Sequence, residues 1–481
     1  MLLTSRPEVS WCAVAPRIAF VLAGFVLTLA PQIAGAFQTH YSATCTCSHC
    51  TGAALEASAF STFNTTANNS RWTSTSSGST GSAGDPITLT WSFVPEGTQV
   101  ATFANTSVKE PSELIAALDT KFGEGDGGDD LTQRPWFVYF EESFARLSAV
   151  SGVTYLYEPN DNGSPHPTTQ GVAGVRGDVR IGGLDVDGIS GTLAYNFFPS
   201  SGGDMVIDVN DFINNALLGR SQGDFLYLRN TIMHEAGHGL GLEHISSNNA
   251  RILMEPSVSV SFSGPQHDDI RGLHWLYGDA LEKGGRNETA APATDLGTLV
   301  DSVTTSLGTD GSGQVVAADA TDFVSISNEN DTDFFAFTID AASLLDVTMT
   351  PVGASHNQGS TVVDSTIAMD LTLAIFDTDG TSLLMESTGA AAGIAESITG
   401  LELLDPGTYY ARIDSATSTF GQQAQMYQLD LLATFLLDGD YNRDGTVDVD
   451  DFVVWKEQFG MIGDGLAADG NRDGIVDSAD Y

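Results

Sequence analysis

The chain has 481 residues, which is enough for about three domains of ordinary size. Its 62 acidic residues outnumber the 19 lysines and arginines, and the resulting formal charge of −43 argues against binding to a nucleic-acid phosphate backbone. A hydrophobic content of 42% excludes a chain that is disordered throughout, and only 4 cysteines exclude a disulfide scaffold. Abundant glycine and aspartate predict turn-rich β structure with calcium-binding loops.

The N-terminus is typical of an export signal. Arg6 and Arg17 precede an apolar run over residues 18–30, and the small residues 34–36 offer a cleavage site. The run is too short to span a bilayer core of ~30 Å as a helix. We therefore expect a signal peptide over residues 1–36 and a secreted protein, extracellular or associated with a cell surface, without a membrane span in the mature chain. An uncleaved membrane anchor is the alternative.

Composition divides the rest of the chain into segments. Residues 37–85 are rich in Ser, Thr, Asn and Gly, which predicts a flexible leader or short pro-segment. An alternating strand pattern at 87–94 and a helical pattern at 136–150 then indicate an α+β domain over residues 86–282.

A second domain with a different pattern follows a linker over residues 283–295. Apolar residues alternate with polar ones in short runs separated by Gly, Asp and Asn turns, which predicts an all-β sandwich over residues 296–435. The clearest of these runs are 333–339, 371–377, 407–414 and 426–432. Residues 438–481 are different again and predict a small EF-hand-like helical module.

One motif in the α+β domain predicts a metal site. The segment TIMHEAGHGLGLEH has the spacing HExxHxxGxxH, with His234, Glu235, His238, Gly241 and His244 at its fixed positions. His234 and His238 lie four residues apart, so on a helix they project from one face towards one metal ion. Gly241 permits the positive φ that ends the helix, after which His244 returns as a third ligand. Three imidazoles and one open position are typical of a single catalytic zinc, with Glu235 placed as general base.

The motif and its surroundings resemble the matrixin branch of the metzincin metalloproteases. Residues 252–256, ILMEP, match the Met-turn of that clan, in which Met254 would support the zinc site without being a ligand. Residues 268–278 resemble the closing helix of matrixin catalytic domains. The resemblance covers about residues 86–281. It implies a twisted mixed sheet with an active-site helix, and peptide-bond hydrolysis by a zinc-activated water.

The resemblance also implies structural calcium. Asp187, Asp208 and Asp211 match one calcium site of the family, and Asp178 and Asp204 match another. Oxygen-only ligands suit calcium, although carboxylates in glycine-rich loops are also found simply solvated.

Some positions depart from the matrixin pattern. Tyr195 and Val206 stand where the family places histidines for a second, structural zinc, so we expect only the catalytic zinc. Glu255 replaces the tyrosine that usually follows the Met-turn methionine, and Ile245 replaces the serine that usually follows the third histidine. The specificity pocket is therefore not predicted.

Three cysteines lie close to the expected mature N-terminus, at Cys45, Cys47 and Cys50. One of them could place a thiolate on the zinc, as in matrixin propeptides. Two further interpretations are a local disulfide with one odd thiol and a small metal cluster that includes His49. For the remaining histidines we expect surface or packing roles, at His40, His166, His267, His274 and His356.

The predicted sandwich resembles β-sandwich domains that bacterial secreted peptidases carry after their catalytic unit. It either binds a substrate or surface or acts as a folded spacer.

Two short loops at the C-terminus carry EF-hand-like spacing. Oxygen side chains occupy positions 1, 3, 5, 9 and 12 of each, with glycine at position 6. The first loop has Asp440, Asn442, Asp444, Asp448 and Asp451, and the second has Asp469, Asn471, Asp473, Asp477 and Asp480. Aspartate at position 12 and the pairing of the loops resemble a type I dockerin. This implies either a cohesin-like or cell-surface partner or a calcium-stabilised spacer, and the stop at Tyr481 suggests a truncated module.

Taken together, these patterns predict a secreted zinc endopeptidase that acts on proteins or peptides and binds several structural calcium ions. The alternative is a calcium-dependent extracellular adhesion or scaffold protein whose protease domain is inactive. Intact Glu235 favours the enzyme.

Overall fold

The computed structural model describes residues 71–480 except for 79, 169, 248–250, 359–360, 419–422 and 464. The expected signal peptide, the first part of the leader and the three cysteines near it lie outside the described residues. Among the residues described, no helix is both long and apolar enough to cross a membrane.

The first domain contains a mixed five-stranded sheet with the order β4-β1-β5-β7-β6. Strands β4, β1, β5 and β7 run parallel to one another. The edge strand β6 pairs with β7 in the antiparallel direction. The strands are β1 Ile87–Phe93, β4 Val153–Tyr157, β5 Val179–Leu184, β6 Ala194–Asn196 and β7 Met205–Asp208. A small hairpin joins β2 Gln99–Ala101 to β3 Lys109–Pro111. This agrees with the predicted mixed sheet.

The described residues of this domain form four α-helices, α1 Leu114–Phe122, α2 Phe137–Ala149, α3 Leu226–Leu240 and α4 His267–Tyr277. In α2 the buried residues Phe137, Phe140, Phe144 and Leu147 recur at helical spacing and form one apolar stripe. Trp91 of β1 stacks on two of them, with ring centroids 5.4 Å from Phe137 and 4.8 Å from Phe144. From Leu228 onwards nearly all of α3 is buried, so this helix lies inside the domain core.

The last part of the expected leader belongs to this core. Trp72 is only 2% exposed and lies in the same hydrophobic cluster as the sheet and helices. Ser76 donates from its backbone N–H and its hydroxyl to the carboxylate of Asp178, at 2.6 and 2.7 Å. The domain therefore includes residues 71–85, although the polar composition of this segment is typical of a flexible leader.

Residues 294–435 form the predicted β sandwich of two five-stranded sheets. One sheet has the order β10-β19-β12-β17, with β9 also beside β19, and the other has the order β16-β15-β18-β11-β8. The first comprises β9 Thr305–Leu307, β10 Val324–Ile326, β12 Ser343–Pro351, β17 Glu396–Leu403 and β19 Gln425–Phe435. The second comprises β8 Thr294–Thr298, β11 Thr332–Ile339, β15 Met369–Phe376, β16 Leu383–Ser387 and β18 Gly407–Ser418. A hairpin of β13 Ser355–Gln358 and β14 Thr361–Asp364 is separate. Alternating side chains such as Phe335, Phe337 and Ile339 fill the core of the sandwich.

The segment predicted as a linker, residues 283–295, contacts both domains. Arg286 forms ion pairs with Asp85 of the first domain and Asp331 of the second, at 2.7 and 3.0 Å. Its last residues begin β8, which pairs in parallel with β11. An apolar cluster that includes Ile270 of α4 and Phe323 of the second domain also spans the boundary. The two domains are therefore packed against each other.

The C-terminal module contains one helix, α5 Val449–Gln458, which directly follows the first aspartate-rich loop. An isolated bridge between Ile462 and Ile475 lies beside the second loop. Trp455 of α5 donates from its indole N–H to the carbonyl of Asp477, at 3.0 Å. Helix α5 and the second loop are thus in contact through this hydrogen bond.

Candidate active site

The histidine motif lies on a buried helix that ends where the sequence predicts. His234, Glu235 and His238 are in the last two turns of α3, and Gly241 is the C-cap with a φ of 109°. This left-handed conformation costs glycine little and would strain another residue. After it, the chain reverses and brings His244 back towards the helix.

The three histidine rings converge on one point. The Nε2 atom of His244 lies 3.1 Å from that of His234 and 3.2 Å from that of His238. Their ligand atoms form one of two groups in the described residues in which three potential metal ligands lie within 4.8 Å of one another. Three imidazole nitrogens this close to one another could hold one metal ion between them.

Backbone carbonyls fix which nitrogen faces the centre. His234 donates from Nδ1 to the carbonyl of Leu253, and His238 donates from Nδ1 to the carbonyl of Leu242, both at 2.7 Å. A carbonyl can only accept, so each Nδ1 carries the proton and each Nε2 presents a lone pair. Burial lowers the pKa of His234 to about 4 and that of His244 to about 3, so these rings are neutral at pH 7. Neutral imidazoles are the form that binds zinc, and the donor set fits that metal.

The predicted Met-turn lies directly against the active-site helix. Met254 is buried, and a Cβ placed at Gly237 would be 2.5 Å from its sulfur. Glycine at this point of α3 therefore allows the methionine to pack closely against the helix. This placement agrees with a supporting role for Met254.

A buried carboxylate that the motif did not single out holds the turn in place. Asp269 of α4 accepts from the backbone N–H groups of Leu253 and Met254, at 2.7 and 3.0 Å. It also accepts from the N–H of Gln266, which completes the capping box of α4. Asp269 thereby fixes the peptide whose carbonyl orients His234. The sequence places Asp268 and Asp269 at the start of a predicted helix, which indicates a helix cap. It does not indicate the contact of Asp269 with the Met-turn.

Four residues bear on the catalytic base and on the departures from the family pattern. Glu235 is fully buried beside His234. Glu255 follows the Met-turn methionine, and burial raises its pKa to about 7. Tyr195 and Val206 face each other across β6 and β7 within an apolar cluster. At the place of the family's second zinc, these two side chains provide no histidine ligand.

The first predicted calcium group is brought together at one end of the sheet. Asp187 donates from its backbone N–H to Asp208, and Asp211 accepts from the N–H of Ser190 at 2.9 Å. The second oxygen of Asp211, Oδ2, is buried and has no hydrogen-bond partner. Burial raises the pKa values of Asp208 and Asp211 to about 6, with repulsion from neighbouring carboxylates contributing. A calcium ion here would satisfy this orphaned oxygen, although both oxygens of Asp187 accept from the N–H of Thr192 and the three carboxylates are not among the groups of described residues whose ligand atoms lie within 4.8 Å of one another.

The second predicted pair has protein donors instead. Asp178 accepts from Ser76, from the backbone and hydroxyl of Thr90, and from the N–H of Gly171. Asp204 accepts from the N–H groups of Thr168 and Arg180, both at 2.8 Å. The two carboxylates face different partners, and among the described residues none of their oxygens is buried without a hydrogen bond, so this arrangement adds no support for calcium and the site stays a prediction.

The other described histidines are in packing positions. His166 contacts the carbonyl of Arg180 at 3.1 Å, and His274 lies between Ser325 and the carbonyl of Val150. His267 and His356 line a cavity of about 210 Å³ between the two domains. All four are buried, and none joins a group of three close metal ligands among the described residues.

The two C-terminal loops have the same internal hydrogen bonds. Position 1 accepts from the N–H groups of positions 5 and 6, at 3.1 and 2.9 Å from Asp440 and at 3.1 and 2.8 Å from Asp469. Position 12 accepts from the N–H groups of positions 3 and 9 in both loops, through Asp451 and Asp480. The repeated geometry turns the carboxylates of each loop inwards, as an oxygen-ligated cation requires.

Comparison with known proteins gives a family match within the first domain and several similar proteins. Residues 175–278 match the sequence model of the Matrixin family. Macrophage metalloelastase of Rattus norvegicus is 32% identical over 117 residues, which are 23% of this chain and 23% of that protein. Matrix metalloproteinase-15 of Homo sapiens is 39% identical over 101 residues, which are 19% of this chain and 14% of that protein.

A plant relative matches over a larger number of residues. Metalloendoproteinase 1-MMP of Arabidopsis thaliana is 32% identical over 152 residues, which are 31% of this chain and 40% of that protein. The chain thus spans less than half the length of these relatives. Together the matches support a metzincin-like catalytic domain of the zinc metalloprotease type within this chain.

Proposed function

We propose that this protein is a secreted zinc-dependent endopeptidase whose catalytic residues are His234, His238, His244 and Glu235. The observation that carries the proposal is the convergence of three neutral imidazole Nε2 atoms, two of them oriented by backbone carbonyls. A zinc ion held there would supply a Lewis acid for the scissile carbonyl and would lower the pKa of a water molecule.

Glu235 would move the proton. It directly follows His234 on α3 and is fully buried, and we infer that its carboxylate reaches a water molecule bound at the histidine triad. In this mechanism it takes a proton from the attacking water and delivers it to the leaving amine. His234 and His238 stay neutral throughout, because each Nδ1 keeps its proton and donates it in a hydrogen bond to the carbonyl of Leu253 or Leu242.

The edge strand β6 would position the substrate. It lies at the end of the sheet, and its Asn196 packs against α3, with the amide nitrogen 2.7 Å from a Cβ placed at Gly239. An extended peptide added beside β6 would therefore run past the histidine triad, with its backbone held by strand-type hydrogen bonds. This mode of binding favours unfolded or extended protein segments as substrates.

The remaining modules would support an extracellular role. We infer structural calcium at Asp187, Asp208 and Asp211 and in both C-terminal loops. The sandwich and the loop module would then connect the peptidase to a surface or a cohesin-like partner, or serve as a stable spacer.

The test uses the full chain and its Glu235→Gln variant, with Glu142→Gln as a control at an exposed position on α2. We expect one zinc per chain in all three proteins, and chelator-sensitive cleavage of unfolded casein by the wild type and the control. Loss of the general base should lower kcat by about 10²–10⁴-fold. Equal cleavage by the wild type and Glu235→Gln would contradict the assignment. Zinc without cleavage of casein or a peptide library would favour the adhesion or scaffold alternative.

A further inference from the structure

A group of buried carboxylates lies where the first domain meets the sandwich. Glu282 ends a short 3-10 helix that follows α4, whereas Asp331 and Asp333 stand at the start of β11. One carboxylate oxygen from each lies within 4.8 Å of the other two. All three residues are at most 2% exposed. Asp279, which is also buried, lies beside them.

The basic side chains around the group do not balance its charge. Arg286 contacts Asp331 at 3.0 Å and Glu282 at 3.3 Å, but it also pairs with Asp85 and Glu288 at the rim. Lys283 lies near enough to Asp279 to interact with it, while its ammonium group donates to the carbonyl of Ser148. Six carboxylates thus share three cations, of which the third, Arg71, interacts with Asp85 at the rim. In a buried place this leaves negative charges whose desolvation is not compensated.

The carboxylate of Glu282 has no hydrogen-bond donor in the part of the chain that the structure describes. Both of its oxygens are buried without a hydrogen-bond partner there, and Arg286 approaches one of them, Oε2. The other carboxylates are held in fixed directions. Asp331 accepts from the N–H of Ser327 at 2.6 Å, and Asp333 accepts from the hydroxyl of Tyr427 at 2.5 Å. The orphaned carboxylate therefore belongs to a group that is already oriented.

We propose that Glu282, Asp331 and Asp333 bind a calcium ion that joins the first domain to the sandwich. Carboxylate oxygens are hard ligands, which calcium accepts in flexible arrangements, whereas zinc favours nitrogen and sulfur. Asp279 lies next to the site and is itself held by the N–H groups of Leu281 and Ser325, at 2.8 and 2.9 Å. The ion would link Glu282, at the end of the first domain, to Asp331 and Asp333 at the start of β11. The proposal is independent of whether the zinc site is active.

The test counts calcium in the full chain. All proteins carry Glu235→Gln to prevent self-cleavage, and calcium per chain is measured by elemental analysis after equilibrium dialysis. Glu282→Gln and Asp333→Asn should each bind one calcium fewer than the parent. Glu288→Gln, at the rim, is the matched control and should bind the same number. An unchanged number in both site variants would overturn the proposal.

The charge of the group could be neutralised by a bound calcium ion or by a retained proton. Thermal unfolding distinguishes these two cases. Burial raises the pKa of Glu282 to about 9, so a retained proton could also remove its charge. If calcium binds, added calcium raises the Tm of the parent by an increment that Glu282→Gln lacks. If a proton is retained instead, Glu282→Gln keeps the calcium-dependent increment, which would overturn the proposal.

Glu282→Asp covers the case in which the amide variant does not fold. It keeps the charge but shortens the side chain, so we expect one calcium ion to bind at least tenfold more weakly while the others are unaffected. Unchanged affinity for every ion in a folded Glu282→Asp protein would also overturn the proposal.

Discussion

The indole Nε1 of Trp72 donates a hydrogen bond of 2.8 Å to the carbonyl oxygen of Gly239, in the last turn of the helix that carries His234 and His238. The same indole ring lies against Gly203, where a Cβ would be 2.2 Å from it. The carbonyl of Gly203 in turn accepts from the side chain of Asn196 on the edge strand. Trp72, which comes from the polar N-terminal segment, thus contacts the active-site helix α3 directly and the edge strand β6 through Gly203.

Removal of this indole should destabilise the first domain. Trp72→Ala is expected to lower the free energy of unfolding by about 3–5 kcal/mol, because it empties a buried aromatic position. Trp72→Phe keeps most of the apolar contact but loses the N–H donor, so a smaller loss of about 1–3 kcal/mol is expected. Denaturant unfolding followed by circular dichroism measures both. Phe459→Ala, at a position that is 53% exposed, is the control. Equal stability of Trp72→Ala and the wild type would show that the segment does not dock.

The contact between Gly237 and Met254 predicts a substitution whose effect opposes helix propensity. In an ordinary helix, replacing glycine by alanine stabilises the helix by about 1 kcal/mol. Here the new Cβ would be 2.5 Å from the Met254 sulfur in a buried place, so Gly237→Ala should instead destabilise the domain by about 1–3 kcal/mol. We also expect weaker zinc binding, measured by competition with a chromogenic chelator, because the displaced helix carries two of the ligands.

A double-mutant cycle identifies the cause of that loss. Met254→Ala alone should destabilise by leaving a cavity, but Gly237→Ala combined with Met254→Ala should be more stable than the sum of the two single effects. Additive effects would mean that the methyl group collides with something other than Met254.

The repeated loops predict a spectroscopic response to cations. Trp455 lies 3.0 Å from the carbonyl of Asp477 in the second loop, so it should transfer excitation energy to terbium bound there. Asp469→Asn should weaken this sensitised emission strongly, while Asp440→Asn in the first loop should have a smaller effect. Asp450→Asn, an exposed residue outside the proposed ligand set, is the control. Emission that persists in Trp455→Phe would place the lanthanide elsewhere.

The parts that could be predicted from sequence depend on short-range spacing. His234 and His238 are four residues apart on one helix, and Gly241 sets the return of His244, so local geometry alone brings the triad together. The strands of the sandwich were likewise visible as apolar alternation. The carbonyl partners Leu253 and Leu242 were not predictable, since any residue type supplies a carbonyl and only the tertiary fold selects which one.

The parts that could not be predicted depend on distant contacts. Trp72 stands in a stretch whose polar composition is typical of a leader, and the one tryptophan of that stretch was the signal that it docks. Asp178 and Asp204 have the family spacing, but the donors that occupy them come from Ser76, Thr90 and Thr168, which no spacing rule connects to them. The carboxylate group of Glu282, Asp331 and Asp333 is assembled only when the two domains pack.

The same interface predicts how stability depends on pH. His274 is fully buried between the domains, with Nδ1 2.8 Å from the hydroxyl of Ser325 and Nε2 2.8 Å from the carbonyl of Val150. Burial lowers the pKa of His274 to about 4, whereas a histidine in the unfolded chain titrates near 6.5. Between these two values the unfolded chain binds more protons than the folded chain. The stabilising contribution of the neutral ring is therefore fully present above pH 6.5 and is lost as the pH falls towards 4.

We expect His274→Gln to reduce the acid sensitivity of folding by one proton. Within that window a full proton difference corresponds to about 1.4 kcal/mol per pH unit, so the slope of unfolding free energy against pH should fall by up to that amount. The slope will not reach zero, because the pKa values of His267 and His356 are also lowered to about 4 by burial. Ser325→Ala removes the hydroxyl partner but keeps the imidazole, so it should retain the slope of the wild type. If His274→Gln and the wild type have the same slope between pH 4 and 6.5, the ring does not stay neutral at the interface, and the acid response must come from the other buried histidines.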